Sequence, residues 1–164
     1  MRVRTQGTVA GSTGGAGAAV LSAAVAAGLY APLLVMSPER RFPDRFTTGD
    51  RIRVRLRLWG VVPLGSQRIE IEDSASEDGT AGGRTMHDVG RPLTGPLALL
   101  AGWHHRITIL PVTARGAIWR DELTISGAFA PLCWPVFAVM WRWRRARLKR
   151  RARSWEALPA RLTP

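Results

Sequence analysis

Three histidines are the residues of this 164-residue chain best suited to metal binding or proton transfer, and two of them are adjacent. His104 and His105 fall in a segment that alternates like a β-strand, so their rings point to opposite faces and cannot hold one ion together. His87 could join one of them from a neighbouring strand, but no third ligand is assigned. The pattern therefore favours a polar histidine that is partnered in the core, and it predicts no metal or cofactor site.

Asp121 and Glu122 are also adjacent in a predicted strand, so they are not poised together for general acid–base chemistry. The alternation of this strand turns Asp121 inward, where a carboxylate needs Arg106 or a histidine as its partner. Such a pair could orient a polar group of a ligand, although a structural ion pair is favoured. The apolar positions that set this register are Trp119, Leu123 and Ile125.

Two further features could carry chemistry, and neither is strong. Residues 11–17 are rich in glycine but lack the Lys-Ser/Thr ending of a phosphate-binding loop. Cys133 is the single cysteine, so it can form neither an internal disulfide nor a cysteine-based metal site, and its apolar surroundings favour a packed small side chain. The sequence thus contains no complete catalytic set, and an enzyme is not favoured.

The net charge of +12 is concentrated in one segment of the chain. Residues 142–153 hold eight of the 24 basic residues and no acid, which leaves 16 basic and 12 acidic residues elsewhere. All basic residues except Lys149 are arginines, and with abundant Ala, Gly and Pro this indicates a GC-rich coding bias rather than selection for anion binding. An anionic membrane surface stays open as a partner of residues 142–153, and nucleic acid is not favoured.

The clearest secondary-structure signal is the strict alternation of residues 51–59, which predicts a half-buried strand. Its outward face carries four arginines, and the alternating residues 68–72 supply glutamates that could face them across a hairpin. A solvated ladder of opposite charges is therefore favoured over a nucleic-acid-binding stripe. The apolar connection at residues 59–65 should fold inward or line the mouth of a pocket.

Further strands are predicted where apolar and polar residues alternate between turn-forming residues. They cover residues 3–9, 84–89, 103–112 and 117–125, with an irregular segment or edge strand at 91–100 and a loop at 73–83. A long helix is predicted from residue 128, since apolar residues then recur at spacings of three and four. The face that a sheet should cover comprises Phe129, Leu132, Cys133, Val136, Phe137 and Met140.

Two apolar segments allow a membrane interpretation. Residues 18–36 resemble a signal peptide or an anchor of about 20 residues, but their Ala and Gly content and Pro32 favour a helix packed on a sheet. Residues 123–141 are uncharged and precede a basic run, as the positive-inside rule requires, but two prolines and the strand pattern argue against a span. We therefore expect a cytoplasmic protein, with membrane association as the alternative.

In chain order the predicted elements are a strand, a helical segment, a run of antiparallel strands and a long closing helix. Together with three local motifs, this order resembles the START-like helix-grip superfamily, also called SRPBCC, over residues 45–153. The motifs are Leu58-Trp59-Gly60-Val61-Val62-Pro63-Leu64-Gly65, Trp103-His104-His105-Arg106-Ile107-Thr108-Ile109 and Asp121-Glu122-Leu123-Thr124-Ile125-Ser126-Gly127. The resemblance implies an α+β fold in which a curved antiparallel sheet wraps around the C-terminal helix. One START-like domain is expected over residues 1–155, with an Ala/Gly-rich helical segment within 1–44 and a tail at 156–164.

In that superfamily a cavity between sheet and helix holds a hydrophobic or amphipathic small molecule, such as a lipid, polyketide or sterol. The resemblance therefore implies binding of such a molecule. A cyclase or dehydratase that uses His105 and Asp121 as acid–base candidates is an alternative, and so is a small membrane-associated protein. Asp121 joins the cavity candidates through its inward orientation. The candidates that the resemblance implies are Trp59, Leu64, Trp103, His105, Trp119, Phe129, Cys133 and Phe137.

Overall fold

The structure is a computed structural model that describes residues 1–10, 16, 18–19, 21–75, 80–113 and 116–155. Its strands are β1 (Arg2–Ala10), β2 (Leu34–Pro38), β3 (Arg51–Leu58), β4 (Val62–Ala75), β5 (Arg84–Asp88), β6 (Arg91–Thr94), β7 (Gly102–Thr113) and β8 (Gly116–Ser126). They form an antiparallel sheet in the order β1-β8-β7-β5-β4-β3-β2, and β6 pairs with β4. Each predicted strand is thus present, and β2 is an addition.

Among the described residues are the helices α1 (Ala23–Tyr30) and α2 (Ala130–Trp155) and a short 3₁₀ helix at Pro96–Leu99. The described residues 16, 18, 19 and 21, ahead of α1, are also helical. Ser22 caps α1, because its side chain accepts a hydrogen bond from the backbone N–H of Val25. Pro32 follows the last helical residue by two positions and cannot continue the helix. The single helix expected over residues 18–36 therefore ends at Tyr30, and the chain pairs with β3 as β2 instead.

The curved sheet wraps around α2, which packs against β1, β8 and α1. The turn from β8 into this helix depends on Gly127, whose φ of 108° lies in the left-handed region. A Cβ at this position would lie 2.7 Å from the backbone nitrogen of Ala101. The predicted α+β architecture, an antiparallel sheet around the C-terminal helix, is confirmed.

The face of α2 that the sheet covers is rotated from the predicted one. Leu132 and Val136 are 74% and 64% exposed, although both were expected to be covered. The reason is that both the apolar half and the basic half of α2 pack against the rest of the protein. The buried residues therefore recur at spacings of three and four along the whole helix, and not only along its apolar half. The buried residues of α2 are Ala130, Phe137, Met140, Trp141, Arg144 and Leu148.

The outward arginines of β3 are partly neutralised by neighbouring acids, as the solvated-ladder interpretation requires. Arg51 lies opposite Glu70 in the register, and their side chains are 2.8 Å apart. Arg53 lies opposite Arg68 instead, and it pairs with Glu39 at 3.3 Å. Such exposed pairs contribute little to stability.

The loop expected at residues 73–83 is shorter than predicted. Because Asp73, Ser74 and Ala75 pair with β5, they extend β4 beyond its apolar stretch. The centre of that loop, residues 76–79, lies outside the described residues, as do most of residues 11–17, the turn at 114–115 and the tail at 156–164.

Among the residues that the structure describes, no helix is long and apolar enough to cross a membrane. The uncharged residues 123–141 begin in β8 and enter α2 only at Ala130. They therefore do not form one continuous helix.

Candidate functional site

A cavity of about 330 Å³ lies between α1, α2 and the concave face of the sheet. Its volume is near the lower end of the range for small-molecule pockets, roughly 300–1,000 Å³. The lining is mostly apolar and comes from α1, β2, β3, β4, β5, β7, the 3₁₀ helix and α2. Leu132 and Val136 line it although they are largely exposed, so they mark an edge where the cavity meets solvent.

The polar side chains in the lining are few and all are buried. They are Tyr30, Gln67, Asp88, His105 and Arg144. A mainly apolar cavity with a few convergent polar groups is typical of a site that orients one end of a small molecule.

Behind His105 lies a buried network centred on Asp121. Oδ1 of Asp121 is 2.8 Å from Nε2 of His105, and the indole N–H of Trp141 donates to the same oxygen at 2.9 Å. Nε of Arg144 forms a salt bridge with Oδ2 at 3.1 Å without completing a hydrogen bond, and Nη1 of the same guanidinium donates to the hydroxyl of Tyr30. Nε2 of His105 also lies 3.2 Å from Nη1 of Arg144, so it faces an acceptor and a donor, and its own role depends on the tautomer of the ring.

Asp121 and Arg144 stabilise each other in their charged forms. Burial alone would raise the pKa of Asp121, but the Arg144 charge and His105 hold it below its ordinary value. Burial likewise opposes the charge of Arg144, yet Asp121 and Tyr30 raise the pKa of Arg144. Burial raises the pKa of Tyr30 well above its ordinary value. Asp121 and Arg144 therefore form a charged pair beside a neutral phenol.

Asp88 is a second buried carboxyl, at the end of β5, and its environment differs. Its Oδ1 accepts hydrogen bonds from the backbone N–H groups of Glu70 and Gly90, both at 3.0 Å. Gly90 must be glycine, because a Cβ there would lie 1.9 Å from the carbonyl oxygen of Arg68. Burial raises the pKa of Asp88, and the two N–H groups and His105 oppose the increase without cancelling it.

Asp88→Asn is expected to become more stable relative to the wild type as pH increases from about 4 to about 8. The folded wild type holds the Asp88 proton above the ordinary pKa of 3.8, where the unfolded chain has released it. The wild type therefore loses stability as pH rises through the higher folded-state pKa, whereas asparagine keeps the accepting oxygen and has no such proton. Urea unfolding at several pH values measures the difference. Asp44→Asn, at an exposed carboxylate, is the control, and equal pH profiles for both variants would contradict the prediction.

No family model matches the chain, and no curated protein matches it. Solved structures do. A START superfamily protein from Mycobacterium smegmatis superposes with a TM-score of 0.59 at 12% identity, over 93% of this chain and 97% of that one. The chain has the START-like helix-grip fold. A truncated norcoclaurine synthase from Thalictrum flavum gives 0.61 at 10% identity over 98% and 95% of the two chains. A protein from Arthrobacter aurescens gives 0.66 at 12% identity over 99% and 92%.

The cavity lining includes five of the predicted candidates. Trp103 and Phe137 pack edge to face at the sheet–helix boundary, with ring centroids 5.6 Å apart. The five are Leu64, Trp103, His105, Cys133 and Phe137.

Four predicted candidates lie outside the cavity lining. Trp119 and Asp121 are in β8, and the cavity lies under β2–β5 and β7 because α2 fills the space over β1 and β8. Trp59 is 62% exposed at the β3–β4 turn, and Phe129 is 44% exposed just before α2. The apolar connection at residues 59–65 therefore does not fold inward as a unit, and within it only Leu64 lines the cavity.

The three histidines do not converge. Nδ1 of His87 is 2.8 Å from Nε2 of His104, and the two rings stack outside the cavity, away from His105. Within the described part of the chain, no group of three possible metal ligands occurs. Arg106 lies 3.6 Å from Glu122 on the outer face, and so Arg144 rather than Arg106 is the arginine beside Asp121.

Sequence reasoning missed Tyr30, Asp88, Trp141 and Arg144. For α2 a signal was present, because Phe137, Trp141, Arg144 and Leu148 follow one another at spacings of three and four. Arg144 was assigned to the basic segment on the basis of its charge alone. Asp88 had no comparable signal, because its burial depends on how β4 and β5 pair.

Proposed function

We propose that this START-like chain binds a small, mainly apolar molecule in the cavity between sheet and helix. The observation that carries the proposal is the cavity itself, whose apolar lining converges on the buried polar groups of Asp88, His105 and Arg144. The matched structures support the fold, and the function is inferred from the lining.

The lining is suited to this role in energy as well as shape. Transfer of a methylene group from water into an apolar environment contributes about 0.8 kcal/mol. A short alkyl or ring system can therefore offset the entropy lost on binding without any charged contact. Polar groups at one end would then fix its orientation.

Ala26→Phe is expected to lower the affinity for an uncharged fluorescent probe, N-phenylnaphthylamine, by about tenfold or more. Ala26 is a half-buried residue of α1 in the cavity lining, so a benzyl group there occupies the space a ligand needs. Fluorescence titration gives the dissociation constant.

The matched control is Ala24→Phe, which adds the same ring two residues away on the exposed face of α1. Its affinity for the probe should equal that of the wild type. Equal losses in both variants, or no saturable binding to a folded wild type, would reject the proposed function.

A cyclase- or dehydratase-like activity remains a prediction from the sequence. His105 lines the cavity, but Asp121 lies behind it and acts on a ligand only by positioning His105. Contact of residues 142–153 with an anionic membrane surface likewise remains a prediction from the charge of the segment.

A further inference from the structure

The charged groups nearest the cavity already compensate one another. Arg144 is 2% exposed, and its cation faces the carboxylate of Asp121 at 3.1 Å. The second oxygen of that carboxylate is taken by His105 and Trp141. Tyr30 supplies a neutral hydroxyl. A ligand carboxylate placed here would find no unpaired cation among these groups.

Asp88 faces the cavity and forms no salt bridge among the described residues, and the nearby ring of His105 is the group whose charge, when present, lowers the pKa of Asp88. Oδ1 of Asp88 accepts hydrogen bonds from two backbone N–H groups. The indole N–H of Trp103 also points toward Asp88 but does not complete a hydrogen bond. An ionised carboxylate in such a place is strongly disfavoured, and burial raises the pKa of Asp88 accordingly. A protonated Asp88 can both donate and accept a hydrogen bond.

We propose that the cavity selects an apolar ligand whose polar end is an uncharged oxygen, a hydroxyl or a carbonyl, over one that ends in a carboxylate or an amine. This inference rests on the proposed function and names its ligand class. An uncharged oxygen can accept from a protonated Asp88, and a hydroxyl can also donate to a carboxyl oxygen of Asp88. A carboxylate would add an unpaired buried charge, and an amine would require Asp88 to ionise.

The test compares three molecules with the same alkyl chain, decanol, decanoate and decylamine, below the concentrations at which they form micelles. Each competes with bound N-phenylnaphthylamine at pH near 7, and the Ala26→Phe protein reports displacement that does not involve the cavity. Decanol is expected to displace the probe at least about tenfold more effectively than either charged molecule, a difference of about 1.4 kcal/mol.

The outcomes separate the two proposals. Decanoate that competes as well as decanol would overturn the inference by showing that Arg144 is available to an anion. Decylamine that competes best would overturn it by showing that Asp88 is ionised in the complex. In both cases the proposed function would stand. If the probe itself does not bind saturably, the proposed function fails and the inference fails with it.

Two substitutions at Asp88 test its part in the selection. Asp88→Asn keeps an uncharged donor at the same position, so the affinity for decanol should stay within about threefold of the wild type. Asp88→Leu removes the donor and should lower that affinity by about threefold to tenfold. If Asp88→Asn lowers the affinity for decanol as much as Asp88→Leu does, Asp88 does not act as a neutral donor. If Asp88→Leu does not fold, the comparison of the three ligands in the wild type decides the inference.

Discussion

Asp121→Asn is expected to lower the free energy of unfolding by about 3–5 kcal/mol, because it leaves the buried charge of Arg144 without its counterion. Asp121 and Arg144 are both 2% exposed, so solvent cannot replace the lost partner. Removing the other charge with Arg144→Met should have a comparable effect. In the double variant neither charge remains, and its loss should be smaller than the sum of the single losses by about 1–3 kcal/mol. Chemical denaturation of the four proteins measures this cycle.

The matched control is Glu122→Gln, one residue along β8 on the outer face. Glu122 is itself buried, but the side chains of its partners Arg2, Arg4 and Arg106 are 58%, 57% and 36% exposed. Water can solvate the charges that Glu122→Gln leaves behind, so the loss of stability should be smaller than for Asp121→Asn. The pKa of Asp121 is lowered by folding, so its contribution is present above the ordinary value of 3.8 and disappears as pH falls through the folded-state pKa. The wild type and Asp121→Asn should therefore converge in stability at low pH. Equal losses for Asp121→Asn and Glu122→Gln at neutral pH would contradict the network.

Trp119→Ala is expected to destabilise the protein by about 3–5 kcal/mol while leaving probe affinity unchanged in the folded fraction. Trp119 is 2% exposed in β8 and does not line the cavity, so its removal leaves a void in the core away from the cavity. Urea unfolding and probe titration on the same sample measure the two effects.

Trp103→Ala is the complementary variant and should show the reverse. Trp103 is half-buried in β7, lines the cavity and packs on Phe137. Its loss should reduce probe affinity by about threefold or more, since an aromatic wall of the pocket disappears, and should destabilise the fold less than Trp119→Ala. If the probe does not distinguish the two variants, the division between core and cavity is wrong.

The fold could be predicted from the sequence because its main signals are local. The alternation of β3 is visible within a few residues, and the apolar spacing of α2 is visible within a few helical turns. The order of these elements along the chain then indicates a sheet that wraps around the C-terminal helix. Residues 34–38 could not be assigned to a strand, because their pairing with β3 depends on the chain reversing after Pro32.

The candidate site could be predicted only in part, for a physical reason. The inward orientation of His105 and Asp121 follows from strand alternation, and both are buried. Whether an inward residue meets the cavity or the packed core depends on where α2 lies across the sheet. This placement separates Trp103 from Trp119, and no local pattern in the sequence encodes it.

Arg144 divides α2 into two parts with different kinetic consequences. The buried ion pair fixes the middle of the helix, whereas Leu132 and Val136 stand at the cavity edge close to Pro131 and Pro135, which donate no backbone hydrogen bonds. An outward movement of the first turns of α2 would therefore leave the Asp121–Arg144 pair intact. If the proposed ligand enters at this edge, its exchange and global unfolding would have separate barriers, so residence time and stability could vary independently in this fold.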